Sequence, residues 1–344
     1  MKRIMAGFLA VVLTVGLFTG CSQKYTEESN DDASSDNIII TETGEVIKEP
    51  VEEDLIMEEQ EATTAPTQSP EEEMPTPVVE IDVPEPEQVI TEEDQTEPQG
   101  NGLQLVFLGD SIFDNNRDGT GIPYLTAVQC EADVFNLAIG GTSASVGKNE
   151  ETDLDKWNSI GFCGIVNAMM GKISTDIFEG TRAKELLDNE NIDFSQTDYF
   201  IVEYGTNDFF QGTLRADLDN MFDLRTYGGA LRWGVYQLMD IAPDATIILC
   251  SPCYAQFYKD GYLVGDGNMT DLGYGTLFDY KGTCNYVANE LGCIFFNAYQ
   301  DLGVDGYTID QYTEDGLHFS AEGRQLYADA LAKIILNYEE TKNN

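Results

Sequence analysis

The stretch LVFLGDSIFD, residues 105–114, joins a strand-like apolar run to an abrupt polar turn. The run ends in Gly109, Asp110 and Ser111, after which the character of the chain becomes polar. Such a change has two explanations. Glycine makes an ordinary turn at the end of a strand, or the strand holds Ser111 in place for chemistry. The choice between them depends on whether other parts of the chain bring complementary groups to the same place.

Four further segments resemble residues 104–108 in being short, apolar and rich in Val, Ile, Phe or Leu. They span 133–138, 198–204, 245–250 and 293–297. Longer helical patterns lie between and after them, at 164–172, 177–189, 227–241, 274–291 and 321–338. Continuous apolar runs are typical of strands that are buried on both faces. Their alternation with helices predicts an α/β fold, in which a parallel sheet carries helices on both faces.

In such sheets, functional groups gather beyond the carboxyl ends of the strands. Four sequence blocks are predicted to lie there: GDS at 109–111, NLAIGGTS at 136–143, YGTND at 204–208 and DGLHF at 315–319. A serine hydroxyl becomes a good nucleophile only when a neighbouring base removes its proton, and histidine suits that task near neutral pH. The chain contains a single histidine. A serine–histidine mechanism would therefore pair Ser111 with His318.

The remaining groups of such a site are also present in these blocks. Asp315 lies three residues before His318, where it can accept a hydrogen bond from the imidazole and fix its tautomer. The amides of Ser111 and Gly141 and the side chain of Asn207 can donate to a tetrahedral oxyanion. Each block alone has a simpler explanation, such as a glycine turn or a helix cap. Their common position at strand ends favours a catalytic site.

Together, the four blocks resemble those of the SGNH (GDSL-like) hydrolase superfamily, and they occur in that family's order. The resemblance covers nearly all of residues 103–338 and implies a flavodoxin-like three-layer sandwich with a five-stranded parallel sheet. Members of the family cleave esters, often acetyl groups on carbohydrates, some transfer acyl groups instead, and they need no metal or organic cofactor. The resemblance implies a nucleophile, a base with its orienting partner, and two oxyanion donors: Ser111, His318, Asp315, Gly141 and Asn207.

The segment from 143 to 191 is long for a connection between strands, with Gly-, Asn- and acid-rich portions. We expect it to carry an insertion over one edge of the site. Asp110 is expected to hydrogen-bond the turn, and Glu203 to have a structural role. Several aromatic residues beyond strands are candidates for stacking on sugar rings, with core packing as their default: Trp157, Phe209, Phe210, Tyr254 and Tyr258.

The first 21 residues have the pattern of an export signal. Lys2 and Arg3 precede an apolar run from Ile4 to Phe18, which is short for a membrane-spanning helix. The sequence FTGC at 18–21 resembles a bacterial lipobox, in which the cysteine is lipidated. We therefore expect Cys21 to anchor the protein to the outer face of the cytoplasmic membrane, within the cell envelope, without spanning it. A plain secretory signal with an incidental cysteine is the alternative.

Residues 22–100 have a very different composition from the rest. They hold 25 acidic residues against two lysines and no arginine, together with eight of the 11 prolines of the chain. Such a segment has too little apolar surface to offset the entropy of ordering, so we expect a disordered acidic tether. The hydrolase-like domain, 101–344, keeps 37 acidic and 14 basic residues. Both nucleic acid and anionic lipid headgroups are disfavoured as partners, because they bind to basic surface.

Six cysteines remain beyond Cys21: Cys130, Cys163, Cys250, Cys253, Cys284 and Cys293. An even number in an exported protein permits disulfides, but the sequence does not show their pairing. Cys250 and Cys253 form a C-x-x-C pattern, which suggests redox chemistry or half of a metal site. The single histidine and the strand-like flanks instead favour small buried residues at a strand end, so no metal is expected.

These observations predict a surface-anchored serine esterase that removes short acyl groups, above all acetyl, from an acylated carbohydrate, from cell-envelope glycan or from a small ester. An O-acyltransferase would use the same residues and would pass the acyl group to a sugar hydroxyl instead of water. A glycan-binding lipoprotein on a hydrolase scaffold is the non-enzymatic alternative. Product analysis separates the first two, and labelling of Ser111 by a fluorophosphonate separates both from the third.

Overall fold

The apolar runs form the strands of one central sheet in the computed structural model, which describes residues 102–342. In chain order the strands are β1 (Gln104–Gly109), β2 (Asp133–Asn136), β3 (Tyr199–Glu203), β4 (Thr246–Cys250), β5 (Gln256–Lys259), β6 (Tyr262–Asp266) and β7 (Ile294–Phe296). Five of them make a sheet in the order β2-β1-β3-β4-β7, and all four neighbouring pairs are parallel. The predicted five-stranded parallel sheet is therefore confirmed.

The central strands are apolar throughout because both of their faces are covered. Every residue of β3 is buried, and Leu105 to Leu108 of β1 have no exposed surface. The edge strand β2 is only partly buried and ends at Asn136, two residues earlier than predicted. The Asn136 side chain accepts a hydrogen bond from the amide of Ala138 at 3.0 Å, which turns the chain out of the ladder.

Ten α-helices accompany the strands in the described part of the chain. They are α1 (Ser111–Asp114), α2 (Ile122–Cys130), α3 (Phe162–Met169), α4 (Arg182–Leu187), α5 (Thr206–Phe210), α6 (Tyr227–Ile241), α7 (Leu277–Leu291), α8 (Ala298–Asp301), α9 (Ile309–Tyr312) and α10 (Ala321–Lys342). Helix α2 packs against α10, and α3, α6 and α7 form a second packed group. Right-handed crossovers place these groups on opposite faces of the sheet, which gives the expected three layers.

Two predicted helices are shorter than their sequence patterns. Within 177–189, a 3-10 turn ends at Phe178, and α4 begins only after Thr181, whose side chain accepts from the Lys184 amide. Gly180 between them has φ +81, which breaks the helix. Within 274–291, the helix begins at Leu277, because Thr276 and Asp279 form a reciprocal capping box.

The segment 143–191, where we expect an insertion, contains one of the predicted helices. This helix, α3, is buried against α6 and β1, so it belongs to one of the main layers. A further addition, next to the predicted catalytic loop, is the β5–β6 hairpin, which the sequence patterns did not reveal. The amide of Gln256 on β5 donates to the carbonyl of Gly316 at 2.8 Å, and this bond fastens the hairpin to the DGLHF block.

The signal segment 1–21 with Cys21, and the tether at 22–100, lie outside the described residues, so both remain predictions. Among the helices between residues 102 and 342, none is long and apolar enough to cross a membrane.

Candidate active site

The strand order places a crevice at the carboxyl ends of β1 and β3. The chain leaves β1 toward β2 on one side and leaves β3 toward β4 on the other, so the two connections diverge. In open parallel sheets this topological switch point is where ligands bind. Ser111 follows β1 and Asn207 follows β3, and both residues therefore lie at the crevice.

The turn that carries Ser111 is fixed by its two preceding residues. A Cβ atom on Gly109 would lie 2.8 Å from the Phe113 ring and 3.1 Å from the Glu203 carbonyl, so only glycine fits. Asp110 caps α1 by accepting a hydrogen bond from the Ile112 amide at 3.0 Å, as expected from the sequence. The cap places Ser111 at the first position of the helix, half-buried, with its side chain at the crevice.

His318 is held by Asp315 through both carboxylate oxygens. Oδ2 lies 2.6 Å from Nδ1 of the imidazole, while Oδ1 accepts from the amides of Leu317 at 3.0 Å and His318 at 2.7 Å. Gly316 between them has φ +87, and a side chain there would collide with the Gln256 carbonyl. The backbone conformation of residues 315–318 therefore fixes the orientation of the imidazole.

The free edge of the imidazole faces the serine. Nε2 of His318 lies 3.0 Å from Oγ of Ser111, although the two residues are 207 positions apart in sequence. With a proton on Nδ1 directed at Asp315, Nε2 is left as the acceptor for the serine hydroxyl. The structure therefore brings Ser111, His318 and Asp315 into one continuous chain of hydrogen bonds.

Asp315 is ionised in this arrangement. Partial burial works against the charged form, but the hydrogen bonds from the His318 ring and from the amides of His318 and Leu317 outweigh it, and the pKa of Asp315 lies below its ordinary value. An ionised carboxylate keeps the imidazole in one tautomer and stabilises its protonated form.

Two backbone amides at the crevice are available as oxyanion donors. The N–H groups of Ser111 and Gly141 have no acceptor among residues 102–342. Gly141 adopts φ +75 and lies on the surface of its loop. The third predicted donor is placed differently, because Nδ2 of Asn207 already donates to Oδ2 of Asp110 at 2.9 Å and to the carbonyl of Thr142 at 2.9 Å. Asn207 can serve an oxyanion only by exchanging one of these bonds.

An acid–arginine pair, which sequence reasoning missed, ties the Gly140–Gly141 loop to α1. Oδ2 of Asp114 accepts from the Gly140 amide at 2.6 Å, and its Oδ1 accepts from Nε of Arg117 at 2.5 Å. Arg117 also donates to the carbonyl groups of Asn136 and Ala138. The spacing of Asp114 three residues after Ser111 was a weak signal at most, because the partners come from a distant strand.

A pocket of about 190 Å³ adjoins the serine and the histidine. Most of its wall is polar. Beyond Ser111 and His318, it is lined by Ile112, Asn115, Asn116, Glu314, Phe319 and Arg324. The guanidinium of Arg324 is almost completely buried and donates to the carbonyls of Thr120 and Phe319, which fixes the pocket floor.

The aromatic candidates divide into two sets. Trp157, Phe209 and Tyr254 are buried and pack in the core, whereas Phe210 and Tyr258 remain 43% and 44% exposed. Tyr258 lies on the hairpin beside Gly316, where a Cβ atom would approach its ring to 2.8 Å. Only the exposed pair is accessible to a ligand.

The six cysteines between residues 102 and 342 form no disulfide with one another, and Cys250 and Cys253 are buried at and just beyond the end of β4. Burial raises the pKa of both thiols, which makes them poor nucleophiles and poor metal ligands. Within residues 102–342, no group of three or more His, Cys, Asp or Glu side chains is arranged to hold a metal ion.

A serine, an imidazole and a carboxylate in consecutive contact at the switch point of a parallel sheet define the class of serine-type hydrolases and acyltransferases. The sequence agrees with this class, because the profile of the GDSL-like lipase/acylhydrolase family matches residues 107–326, more than half of the chain. The chain belongs to this family, as the four blocks indicated, and it is an ester hydrolase of the SGNH type.

Several solved structures align with this chain at low sequence identity. One of them aligns with a TM-score of 0.51 at 18% identity, over 69% of this chain and 96% of the other. A protein from Lactobacillus plantarum is 17% identical with a TM-score of 0.48, over 68% of this chain and 97% of its own. A possible lipase from Chitinophaga pinensis is 17% identical with a TM-score of 0.48, over 69% of this chain and 99% of its own. None of the curated proteins matches the sequence.

Proposed function

We propose that the protein is a surface-anchored serine esterase that removes short acyl groups from a carbohydrate, with Ser111 as nucleophile. The observation that carries the chemistry is the pair of contacts made by His318, at 3.0 Å to Ser111 and 2.6 Å to Asp315. No other arrangement of hydroxyl, base and carboxylate in the described residues uses the single histidine.

The catalytic cycle follows from these contacts. His318 takes the proton of Ser111 as Oγ attacks the ester carbonyl, and the imidazolium is stabilised by Asp315. Collapse of the tetrahedral intermediate expels the alcohol, which receives the proton from His318 and leaves an acyl-serine. Water then attacks the acyl-serine with the same base, releasing the acid and restoring the hydroxyl. The His318 side chain is 32% exposed, so water can reach the acyl-enzyme.

The oxyanion is stabilised first by the free amides of Ser111 and Gly141. Asn207 contributes when its bond to the Thr142 carbonyl is exchanged for one to the oxyanion. Its second bond, to Asp110, can remain in place throughout and keeps the amide directed at the crevice.

A short acyl group and a hydroxylated alcohol are supported by the pocket beside Ser111. A fatty chain gains about 0.8 kcal/mol per buried methylene only in an apolar groove, whereas this wall is mostly polar. Asn115, Asn116 and Glu314 offer hydrogen-bonding groups suited to sugar hydroxyls. The excess of acidic residues in the domain disfavours polyanionic glycans, so the proposed substrate is a neutral acetylated polysaccharide.

The hairpin provides a surface for neighbouring sugar units. The hydroxyl of Tyr258 donates to Oε1 of Gln256 at 2.7 Å, which holds the ring beside Gly316 with part of its surface exposed. Aromatic rings held in this way stack on the apolar faces of pyranose rings.

We expect the soluble domain to release acetate from a neutral acetylated oligosaccharide, measured by mass spectrometry, and to show little activity on long-chain esters. The Tyr258→Ala variant should raise KM for the oligosaccharide by roughly fivefold, which corresponds to a stacking contact of about 1 kcal/mol. Its turnover of p-nitrophenyl acetate should not change, because this small ester does not reach the hairpin.

Tyr262→Ala is the matched control. Leu263 is paired with Tyr258 across the hairpin, so the adjacent Tyr262 lies on the opposite face, and it is also exposed. Equal effects of the two substitutions would count against the hairpin as a sugar-binding surface. Preference for long acyl chains over acetyl would overturn the proposed substrate.

The proposed anchoring at the cell surface rests on the order of the N-terminal segments. Two basic residues are followed by an apolar run, then by the FTGC sequence and then by the acidic tether. We expect the full chain expressed in a bacterium to incorporate a labelled fatty acid at Cys21 and to fractionate with membranes. Cys21→Ser should abolish both. Secretion of an unlabelled soluble protein from the unaltered gene would exclude the anchor.

A further inference from the structure

Three acidic side chains are completely buried near the nucleophile: Asp110, Glu203 and Asp208. Two of them have donors. Asp110 accepts from the Ile112 amide and from Asn207, and Asp208 accepts from the amides of Ala144 at 2.9 Å and Ser145 at 3.0 Å. Glu203 is different, because no amide, hydroxyl or cationic group of the described residues donates to its carboxyl oxygens.

The parallel pairing of β1 with β3 sets Glu203 opposite Gly109, immediately before Asp110. The buried carboxyl of Glu203 lies there beside that of Asp110, close enough for their charges to interact, and no other group of the described residues donates to its oxygens. Two carboxylates side by side repel each other and cannot bond, since both are acceptors, so one of the two must carry a proton. Asp110 already accepts from two N–H donors, which leaves Glu203 as the protonated partner.

The electrostatics agree with this assignment. Burial first, and then the charge of Asp110, raises the pKa of Glu203 well above its ordinary value. Burial also raises the pKa of Asp110, to about 6, against the opposing effect of its hydrogen bonds to Ile112 and Glu203. The pair therefore holds one proton and one negative charge over the neutral range.

The other titratable groups that act on this pair are few. Asp208 adds negative charge, and His318 acts on Asp110 as a cation when protonated. The remaining groups are buried phenols and thiols whose pKa values are raised by burial, so they stay neutral: Tyr204, Tyr227, Tyr327, Cys250, Cys253 and Cys284.

We propose that Glu203 is a positioning residue for the hydrolysis: its carboxyl proton bonds to Asp110, and Asp110 in turn holds the Asn207 amide at the oxyanion hole. This inference rests on the proposed roles of Ser111 and Asn207. It assigns a function to the residue immediately before the YGTND block, which the sequence analysis expected to be structural.

The shared proton has two consequences for the reaction. It limits the negative charge of the Glu203–Asp110 pair to one, because a second charge on this pair would add to the repulsion of the developing oxyanion. It also fixes the remaining charge on Asp110, where it faces His318 and favours the imidazolium that forms in the transition state.

The test compares Glu203→Gln with Glu203→Leu, which are similar in size and differ in the ability to donate. The Gln amide can still donate to Asp110, so kcat for p-nitrophenyl acetate should stay within about threefold of the unaltered enzyme. The Leu variant should lose kcat by roughly tenfold or more with KM unchanged, because a donor to a buried charge is removed. Equal kcat in the two variants, whether high or low, overturns the proposal.

A second measurement does not depend on activity. An unfolded glutamic acid titrates near 4.5, but the folded protein holds the Glu203 proton to higher pH. Above pH 4.5 the folded state therefore binds more protons than the unfolded state, and the free energy of unfolding falls as the pH rises. We expect the unaltered protein to lose more stability between about pH 5 and pH 8 than Glu203→Gln does, in urea unfolding. Parallel pH dependence would show that Glu203 carries no proton.

The two measurements also separate this inference from the proposed function. If the unaltered domain hydrolyses no ester, the proposed function fails, while the stability comparison still decides whether Glu203 is protonated. If hydrolysis depends on Ser111 but the Gln and Leu variants are equally active, the positioning role alone fails.

Discussion

Ser111→Ala is expected to lower kcat/KM for p-nitrophenyl acetate by on the order of 10⁴- to 10⁶-fold, because no acyl-enzyme can form without the hydroxyl. The residual rate reflects only the free amides of the oxyanion hole and the binding of the ester. A fluorophosphonate probe, followed by mass spectrometry, should label the unaltered protein at Ser111 and should not label the variant.

The fold should survive this substitution, because Ser111 is only half-buried and the cap of α1 comes from Asp110. Thermal unfolding checks this point directly. Ser195→Ala, at an exposed 3-10 turn, is the matched control and should keep full activity. A Ser111→Ala protein that retains more than a small percentage of the activity would show that another nucleophile acts.

Asp315→Asn is expected to lower kcat/KM by on the order of 10³- to 10⁴-fold, because an amide no longer fixes the tautomer of His318 or stabilises its charge. Since the pKa of Asp315 lies below its ordinary value, the carboxylate is ionised throughout the neutral range and its full effect is present there. Kinetics on p-nitrophenyl acetate at neutral pH measure the loss.

Asp310→Asn is the matched control for this change. It removes the same charge from an exposed side chain of α9 that is not part of the pocket lining. We expect its activity to stay within a few-fold of the unaltered enzyme. Similar losses in the two variants would mean that Asp315 acts through general electrostatics and not through the hydrogen bond to Nδ1.

The fold was predictable from sequence to the extent that burial leaves a local pattern. The central strands β1, β3 and β4 were found because strands covered on both faces must be continuously apolar, and the partly buried edge strands β2 and β7 were found from shorter apolar runs. Helix α6 matches its predicted bounds, 227–241, because a Thr226 cap begins it. Helix ends elsewhere moved by several residues, since local caps and positive-φ glycines decide them. The β5–β6 hairpin was missed, because its strands are short, partly exposed and stabilised by contacts with a distant loop.

The residues of the candidate site were predictable from sequence, but the hydrogen bonds that join them were not. A single histidine, and blocks that follow strands, were enough to nominate Ser111, His318 and Asp315. The sequence did not predict the hydrogen bonds of Asn207 to Asp110 and Thr142. It also did not predict the hydrogen bonds by which Asp114 and Arg117 tie the Gly140–Gly141 loop to α1. Each of these contacts joins residues from different elements, and their distances depend on how the strands pair.

By itself, the sequence determined which residues line the carboxyl edge of the sheet, because apolar runs fix the strands and parallel pairing collects their ends. Only the tertiary structure decided what those residues do to one another: that the imidazole reaches the serine, that two backbone amides stay free, and that Glu203 meets Asp110 away from water. The reason is physical. Strand formation follows from local apolar content, whereas a hydrogen bond or a shared proton depends on distances of a few tenths of an ångström between groups far apart in the chain.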